Sequence, residues 1–378
     1  MSALPPFRLE TFFSTWEFTA RHHMTASDAE SVSLPDLLAM AGPADRAAFE
    51  TLWLGYTQTW GAPDLREAIA ETYVACEASD VLCCAGAEEG IFIALNTLLE
   101  ASDHAIVLTP TYQSLETIAA SVCVVSGVAL DPDDDWSLDI DAVKRAMRPN
   151  TRAVAINFPN NPTGTILARD RFDALVDLCR SRGIWLFSDE AYRPLGPTGA
   201  IHLPQVADVY ERGISLGVLS KAYGLPGLRI GWLACADRAM LQRFEQAKHY
   251  LSISNSGPSE RLAVIALRAR DTLLGRNCGL VSRNLERLDG FFAERRDLFD
   301  WRRPDGGCVA FPRYRGADGV EVFVRRMLDE AGVLLLPASL FRSELGPTPQ
   351  DRFRIGFGRE GLETGLAAFT QQLDRPRP

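Results

Sequence analysis

Positive charge is what this sequence has little of. Its 378 residues carry 39 Lys and Arg against 49 Asp and Glu, a formal net charge of −10. A nucleic-acid backbone calls for a clustered basic surface, so nucleic acid is not expected as the main partner. An acidic surface ordinarily serves solubility, and a few local Arg, Lys and N–H groups can still hold an anionic ligand. Long apolar runs are also missing. Stretches such as Val333–Pro337 fall far short of the roughly 20 residues that cross a bilayer, which speaks against a membrane protein. The segment Met1–Glu10 has no basic stretch followed by an apolar core, so no secretory signal is expected there. The eight cysteines form no CxxC, the adjacent Cys83–Cys84 stand alone, and no histidine cluster appears. Neither a metal site nor a disulfide framework is indicated, and reduced thiols in the cytoplasm fit best. No repeat is visible. No GxGxxG follows a strand-like run, which removes the usual signal of a nicotinamide-dependent oxidoreductase.

What is present is an ordinary globular composition, 47% hydrophobic and 23% charged, in a chain longer than one core usually supports. A large domain with a smaller one is the natural reading. The first 40 residues are irregular and aromatic-rich. Helix-like stretches at Leu65–Ala75, Gly90–Leu99 and Arg169–Ser181 then alternate with strand-like runs at Ala105–Leu108, Ala153–Phe158, Trp185–Ser188 and Ile214–Leu219. That alternation predicts βαβ crossovers and a mostly parallel sheet, an α/β architecture. From about 285 the pattern changes. A helix at Asn284–Arg295, strand-like Val309–Phe311, a helix at Val320–Glu330 and strand-like Val333–Leu336 and Phe353–Phe357 predict a smaller α+β domain. The expected division is 1–40 as a segment joining the small domain, 41–284 as the large domain and 285–378 as the small one.

Three polar clusters follow successive predicted strands of the large domain: Asn160-Asn161-Pro162-Thr163-Gly164, Ser188-Asp189-Glu190-Ala191-Tyr192 and Ser220-Lys221-Ala222-Tyr223-Gly224. Ligands of open α/β sheets sit at the carboxyl ends of strands, so the three should converge on one crevice. A lysine there can offer a neutral amine to a carbonyl and then shuttle a proton. A carboxylate after the apolar run Ile184–Phe187 is costly unless paired, which makes Asp189 a candidate partner for a cation. Arg229 can grip an anion bidentately beside the Ser220 hydroxyl. Gly86-Ala87-Glu88 opens a helix whose N–H groups suit a phosphate. Arg354, between Phe353 and Ile355, sits awkwardly on a strand unless a carboxylate meets it.

Taken together, Asn-Pro-Thr-Gly, Asp-Glu-x-Tyr, Ser-Lys and Gly-Leu-Arg, in that order and spacing, resemble the pyridoxal 5'-phosphate (PLP) aminotransferases of fold type I, class I/II. The resemblance runs from about Tyr56 to Arg354, and the combined set is specific where each motif alone is weak. It implies a seven-stranded-type, mostly parallel sheet in the large domain. It implies that Lys221 forms the Schiff base with PLP, that Asp189 pairs with the ring nitrogen and that Asn161 and Tyr192 bind the ring hydroxyl. It further implies Ser220, Arg229, Gly86, Ala87 and Glu88 at the phosphate, and Tyr112 stacked on the ring. By the same resemblance Arg354, with Asn161, binds the substrate carboxylate, and Tyr56 reaches the neighbouring site of a homodimer. Amino acids and 2-oxo acids are then the substrates.

Two departures stand out. Val218 occupies the position, three before the lysine, where the family usually has Ser or Gly. Glu88 and Glu89 open the phosphate helix, where a carboxylate suits the helix dipole but repels phosphate if it points inward. Both are expected to face away, or one to engage a basic substrate. The segment Trp16-Glu17-Phe18-Thr19 and Ser27-Asp28-Ala29-Glu30-Ser31 replaces the usual approach to the site. Its style resembles a subgroup related to capreomycidine synthase, a PLP enzyme that cyclises a hydroxylated arginine. Glu17, Asp28 and Glu30 are then candidates to receive a cationic side chain, or simply a solvated acidic loop. The primary expectation is amino-group transfer, and the alternative is elimination or cyclisation on an arginine-like amino acid. A non-catalytic regulator on this fold would need an added DNA-binding module, and no basic stretch provides one.

Overall fold

The computed structural model describes residues 4–200 and 202–375; residues 1–3, 201 and 376–378, which include the ends of the expected terminal segments, lie outside the described residues. Its centre is a seven-stranded sheet. In spatial order the strands are Val81–Cys84, Gly231–Ala234, Gly213–Val218, Trp185–Asp189, Thr151–Asn157, His104–Thr109 and Val124–Ala129. Only Gly231–Ala234 runs antiparallel to its neighbours. It was not foreseen, because its four residues carry no strand signal beyond a short apolar run. Apart from the edge strand Val124–Ala129, the sheet is buried on both faces, as a parallel sheet flanked by helices must be. Within Thr151–Asn157, Ala153 and Ala155 join one core cluster while Val154 and Ile156 join the other, which is the period of two that a strand imposes.

The expected helices at Gly90–Leu99 and Arg169–Ser181 are Ala87–Leu98 and Arg169–Arg182. The expected Leu65–Ala75 helix runs instead from Pro63 to Ala70. It stops there because the Asp208 carboxylate accepts from the N–H groups of Val74 and Ala75 at 3.0 and 2.8 Å, and Tyr73 turns inward to accept from Trp232 Nε1. The helix expected at Asn284–Arg295 is the second half of Arg270–Ala293, so the 284/285 line falls within one helix.

Near the carboxyl terminus, Phe353–Gly356 lies between Val309–Ala310 and Leu336–Pro337 in an antiparallel sheet. Phe353 packs into an aromatic cluster with Phe299, Phe323 and Phe369, and the strand's alternation then turns Arg354 to the other face. His22–His23 pairs in parallel with Val333–Leu334, which ties the N-terminal segment to this region. Among the described residues no helix is long and apolar enough to cross a membrane.

One buried cation links the sheet to the exposed 52–59 segment. Lys248 has no exposed surface, and its amine donates to Thr59 O and Cys83 O at 2.7 Å and to Asn255 Oδ1 at 3.2 Å. All three donors are used. Lys248→Met leaves those carbonyls dry and is expected to destabilise the fold by about 3 kcal/mol, read as a lower urea midpoint at unchanged slope. A change below about 0.5 kcal/mol, the size of a bland surface substitution, would refute this role.

Candidate active site

The three central strands end side by side. Asn157 is in register with Asp189, and Asp189 with Leu216, so the polar residues that follow each strand meet above one sheet edge. They border a cavity of about 610 Å³. Lys221, Asp189, Tyr192, Asn161, Ser220 and Arg229 all line it, as do Tyr112, Ala87 and Glu88. Gly86 does not line it but abuts the Arg229 guanidinium. Arg354 and Tyr56 do not line it.

The chain has three lysines. Lys144 is exposed and paired with Asp141 at 2.8 Å, and Lys248 is spent on backbone carbonyls. Only Lys221 presents its amine to the cavity. Its loop is closed by Leu219 N–H donating to Ile230 O and Leu225 N–H donating to Leu219 O, both at 3.0 Å. The amine donates to Ser27 Oγ at 2.9 Å. Burial pulls the lysine pKa down, with the Asp28 carboxylate acting in the opposite direction.

Asp189 ends its strand buried, and its Oδ1 accepts one backbone bond, from Ala191 N–H at 3.1 Å. Burial lifts its pKa to about 6. Glu190 points to the other side of the sheet, where it accepts from Val206 N–H and Ser215 Oγ at 2.9 and 3.0 Å. The Asn-Pro-Thr-Gly turn is latched to the neighbouring strand end. Asn161 N–H donates to Asn157 Oδ1 at 2.8 Å, and Asn157 Nδ2 donates to Asp189 O at 3.2 Å. Asn160 meanwhile takes both the N–H and the hydroxyl of Thr163. Tyr192 is buried, which pushes its phenol pKa up; Arg354 and the Ser27 hydroxyl work against that shift.

At the opposite end of the cavity, helix Ala87–Leu98 begins without a side-chain cap, so its first N–H groups are free to meet an anion. Gly86 has φ +92°, and a Cβ there would lie 2.4 Å from Arg229 Nη2. The missing side chain is the room in which the guanidinium sits. Arg229 has no carboxylate within 4 Å among the described residues, and the buried Ser220 Oγ has no hydrogen-bond partner. Val218 stands on the same wall and offers no hydroxyl.

The acidic residues divide. Glu89 faces away: its carboxylate accepts from Ala85 N–H at 2.5 Å and Ser252 N–H at 3.1 Å. Glu88 lines the cavity, and burial lifts its pKa to about 7. Glu17 also lines it, its pKa raised by burial. Asp28 is clamped by Arg359 through two bonds of 3.0 and 2.8 Å. Glu30 is turned off the cavity and accepts from Glu360 N–H at 2.8 Å, so it does not face a ligand there. Arg354 is fully buried beside the site. It donates to Asn161 Oδ1 at 2.9 Å and Thr25 O at 2.8 Å, its Nε has no partner, and the Phe13 ring stands 5.9 Å from its Cζ. Sequence reasoning missed Ser27 as a partner of the lysine, and it missed Arg359 and Asn157. Asn157 carried a usable signal, a polar residue closing an apolar strand.

This donor set suits a ligand with an anion at one end, a cationic ring nitrogen at the other and a carbonyl carbon near Lys221. A family model described as aminotransferase class I and II matches residues 36–368. Capreomycidine synthase of Streptomyces vinaceus is 30% identical over 380 residues, 98% of this chain and 94% of its own length. The arginine–pyruvate transaminase of Pseudomonas aeruginosa is 30% identical over 352 residues, 86% of this chain and 84% of its own. A PLP-dependent aminotransferase from Streptococcus suis superposes with a TM-score of 0.92 at 28% identity, over the whole of both chains. The chain belongs to the class I and II aminotransferases. The enzyme depends on PLP, which when bound supplies an aldehyde for an amine and a ring that withdraws electrons from the bond being broken. Both the fold-type-I architecture and the cofactor expected from the motifs are borne out by this membership.

Proposed function

We propose that the enzyme moves the amino group of an α-amino acid to a 2-oxo acid through Lys221, and that the cavity residues divide the work. Lys221 takes the cofactor covalently and carries the proton between substrate carbon and amine. Asp189 keeps the ring nitrogen protonated, while Asn161 and Tyr192 hold the ring oxygen. Ser220, Arg229 and the N–H groups at Gly86, Ala87 and Glu88 take the phosphate, and Tyr112 covers the ring. Arg354, steadied by Asn161, receives the substrate carboxylate. The observation that carries this reading is the burial of Arg354 without a carboxylate: its guanidinium has no exposed surface and, among the described residues, no carboxylate within 4 Å. A buried cation without a counter-ion is poised for an anionic ligand. With 2-oxoglutarate and a panel of amino acids, the holoenzyme is expected to form glutamate and a 2-oxo acid in equal amounts. Ammonia or a cyclic product without glutamate would overturn the proposal.

A second reading, elimination or cyclisation on an arginine-like amino acid, is favoured by Glu17 and Glu88 on the cavity wall and by the similarity to capreomycidine synthase. In this second reading the cationic side chain lies near Glu88. Its carboxyl is neutral below about pH 7 and charged above it. KM for arginine is therefore expected to fall as pH rises through 7, while KM for norvaline stays level and Glu88→Gln flattens the arginine profile. A level arginine profile in the unaltered enzyme would remove Glu88 from the side-chain pocket.

Tyr56 is 93% exposed, with Trp53 and Leu54 exposed beside it. This supports a homodimer in which Tyr56 reaches the neighbouring phosphate. We place the enzyme in the cytoplasm, a reading supported by eight free thiols. The units remain 1–40, 41–284 and 285–378, with the first joined to the last by the pairing of His22–His23 with Val333–Leu334 and the 284/285 boundary lying inside the helix Arg270–Ala293 that connects the other two.

A further inference from the structure

Lys221 is held from an unexpected direction. The hydroxyl that its amine meets comes from residue 27, 194 positions away in the chain, and the surrounding segment is tethered on every side. Ala29 N–H donates to Lys221 O at 3.0 Å, Glu30 N–H to Gly358 O at 2.8 Å and Arg354 Nη2 to Thr25 O at 2.8 Å. Arg359 clamps Asp28 from the same strand end. The backbone of residues 26–28 runs so close to residues 356 and 358 that a side chain at either position is excluded. A Cβ on Gly356 would stand 2.0 Å from Ala26 O, and one on Gly358 2.3 Å from Asp28 O. A serine on a free loop would lose most of any hydrogen bond to the entropy of ordering it. Ser27 is already ordered by these contacts.

We propose that Ser27 is a positioning residue for the Lys221 amine, holding it whenever it is free of the cofactor and aiming its lone pair at the substrate carbon. The proposal rests on the reading of Lys221 as the catalytic lysine. In the cycle that reading describes, the amine is released during part of each turnover and must then act as a base, so its orientation matters most when no covalent bond fixes it. A neutral amine that donates one N–H to Ser27 Oγ keeps its lone pair free for that proton. A protonated amine donates to the same oxygen, so the bond persists in both states. Charged and titratable groups face the amine from three parts of the chain, Ser27's own segment among them. Asp28, Glu10 and Glu17 come from the N-terminal segment, Arg354 and Cys308 from the C-terminal strands, and Asp189 and Tyr192 from the adjacent strand end. None of them is close enough to bond the amine; Ser27 Oγ is the acceptor within reach.

With three lysines in the chain, the amine can be read directly. The apoenzyme would be reductively methylated with formaldehyde and cyanoborohydride over a pH series, and the extent at Lys221 measured by peptide mass spectrometry. Losing one hydrogen bond to the protonated amine favours the neutral, reactive form. Ser27→Ala is therefore expected to raise labelling at Lys221 on the order of fivefold at fixed pH on the rising limb, with the exposed Lys144 as internal reference. In the holoenzyme kcat should fall by a similar factor while KM stays the same, and Ser27→Thr, which keeps the hydroxyl, should restore both. A labelling profile that matches the unaltered protein, with kcat unchanged and the cofactor still trapped on Lys221 by borohydride, would overturn the role of Ser27 alone. Trapping on another lysine would overturn this proposal together with the reading beneath it.

Discussion

Replacing Lys221 by alanine is expected to abolish covalent cofactor attachment and to lower turnover by at least about 10⁴-fold, because in the proposed reading one amine serves as both nucleophile and proton carrier. No other lysine can take its place. Lys144 is held on an exposed helix by Asp141, and Lys248 has all three donors committed. Borohydride treatment of the unaltered enzyme should fix the cofactor on the peptide containing residue 221, and the variant should retain none after denaturation. A stable adduct in Lys221→Ala, or turnover within tenfold of the original, would sink the assignment. The cavity is expected to keep its shape in the variant. The loop around residue 221 is closed by its own backbone bonds, and Asn277 Nδ2 holds Ala222 O at 2.9 Å.

Asp189→Asn should separate function from stability. Turnover is expected to fall about 10³-fold, since an amide cannot hold a proton on the ring nitrogen, and tuned acid–base partners carry 10²–10⁴-fold. The apoprotein should become more stable. Asp189 is buried with one backbone hydrogen bond, and burial raises its pKa from 3.8 to about 6. A carboxyl whose folded pKa is raised is no liability below its unfolded value, where both states are protonated. Its destabilising effect grows as pH rises from about 4 and is complete above about 6. The variant and the unaltered apoprotein should therefore unfold alike near pH 4, and differ at pH 8 by on the order of 3 kcal/mol in favour of the variant. Urea unfolding at the two pH values measures this. If Asp189→Asn is less stable at pH 8, the carboxylate has a cationic partner in the apoprotein and the account is wrong. A variant more stable at pH 8 would place the site among the cases in which a functional charge is kept at the expense of stability.

How much of this was written in the sequence depends on how far apart the interacting residues are. Lys221, Asp189, Tyr192, Asn161 and Arg229 were legible because each lies in or just after a short strand-to-turn segment. Parallel strands in register bring such segments to one edge without further instruction. Arg354 was legible in part: its alternation with Phe353 and Ile355 sets its face, but only packing decides that Asn161 and Thr25 O receive it and that Phe13 stands over it. The scarcity of lysine was also in the sequence, but only the structure, which commits Lys144 and Lys248 to other partners, singles out Lys221.

Other features came from tertiary structure alone. Glu88 and Glu89 are neighbours on the first turn of one helix, yet successive side chains diverge by about 100°, so Glu88 enters the cavity while Glu89 binds Ala85 and Ser252. Glu30 looked equivalent to Asp28 and is turned away, because Arg359 selects Asp28 and the Glu360 N–H selects Glu30. The meeting of Ser27 with Lys221 joins the two ends of a long stretch of chain. Local order in a sequence carries the cofactor's demands, since they are met by residues that each close a strand of one parallel sheet. Which hydroxyl reaches the lysine and which carboxylate reaches the substrate depend on long-range packing, and no local pattern encodes that.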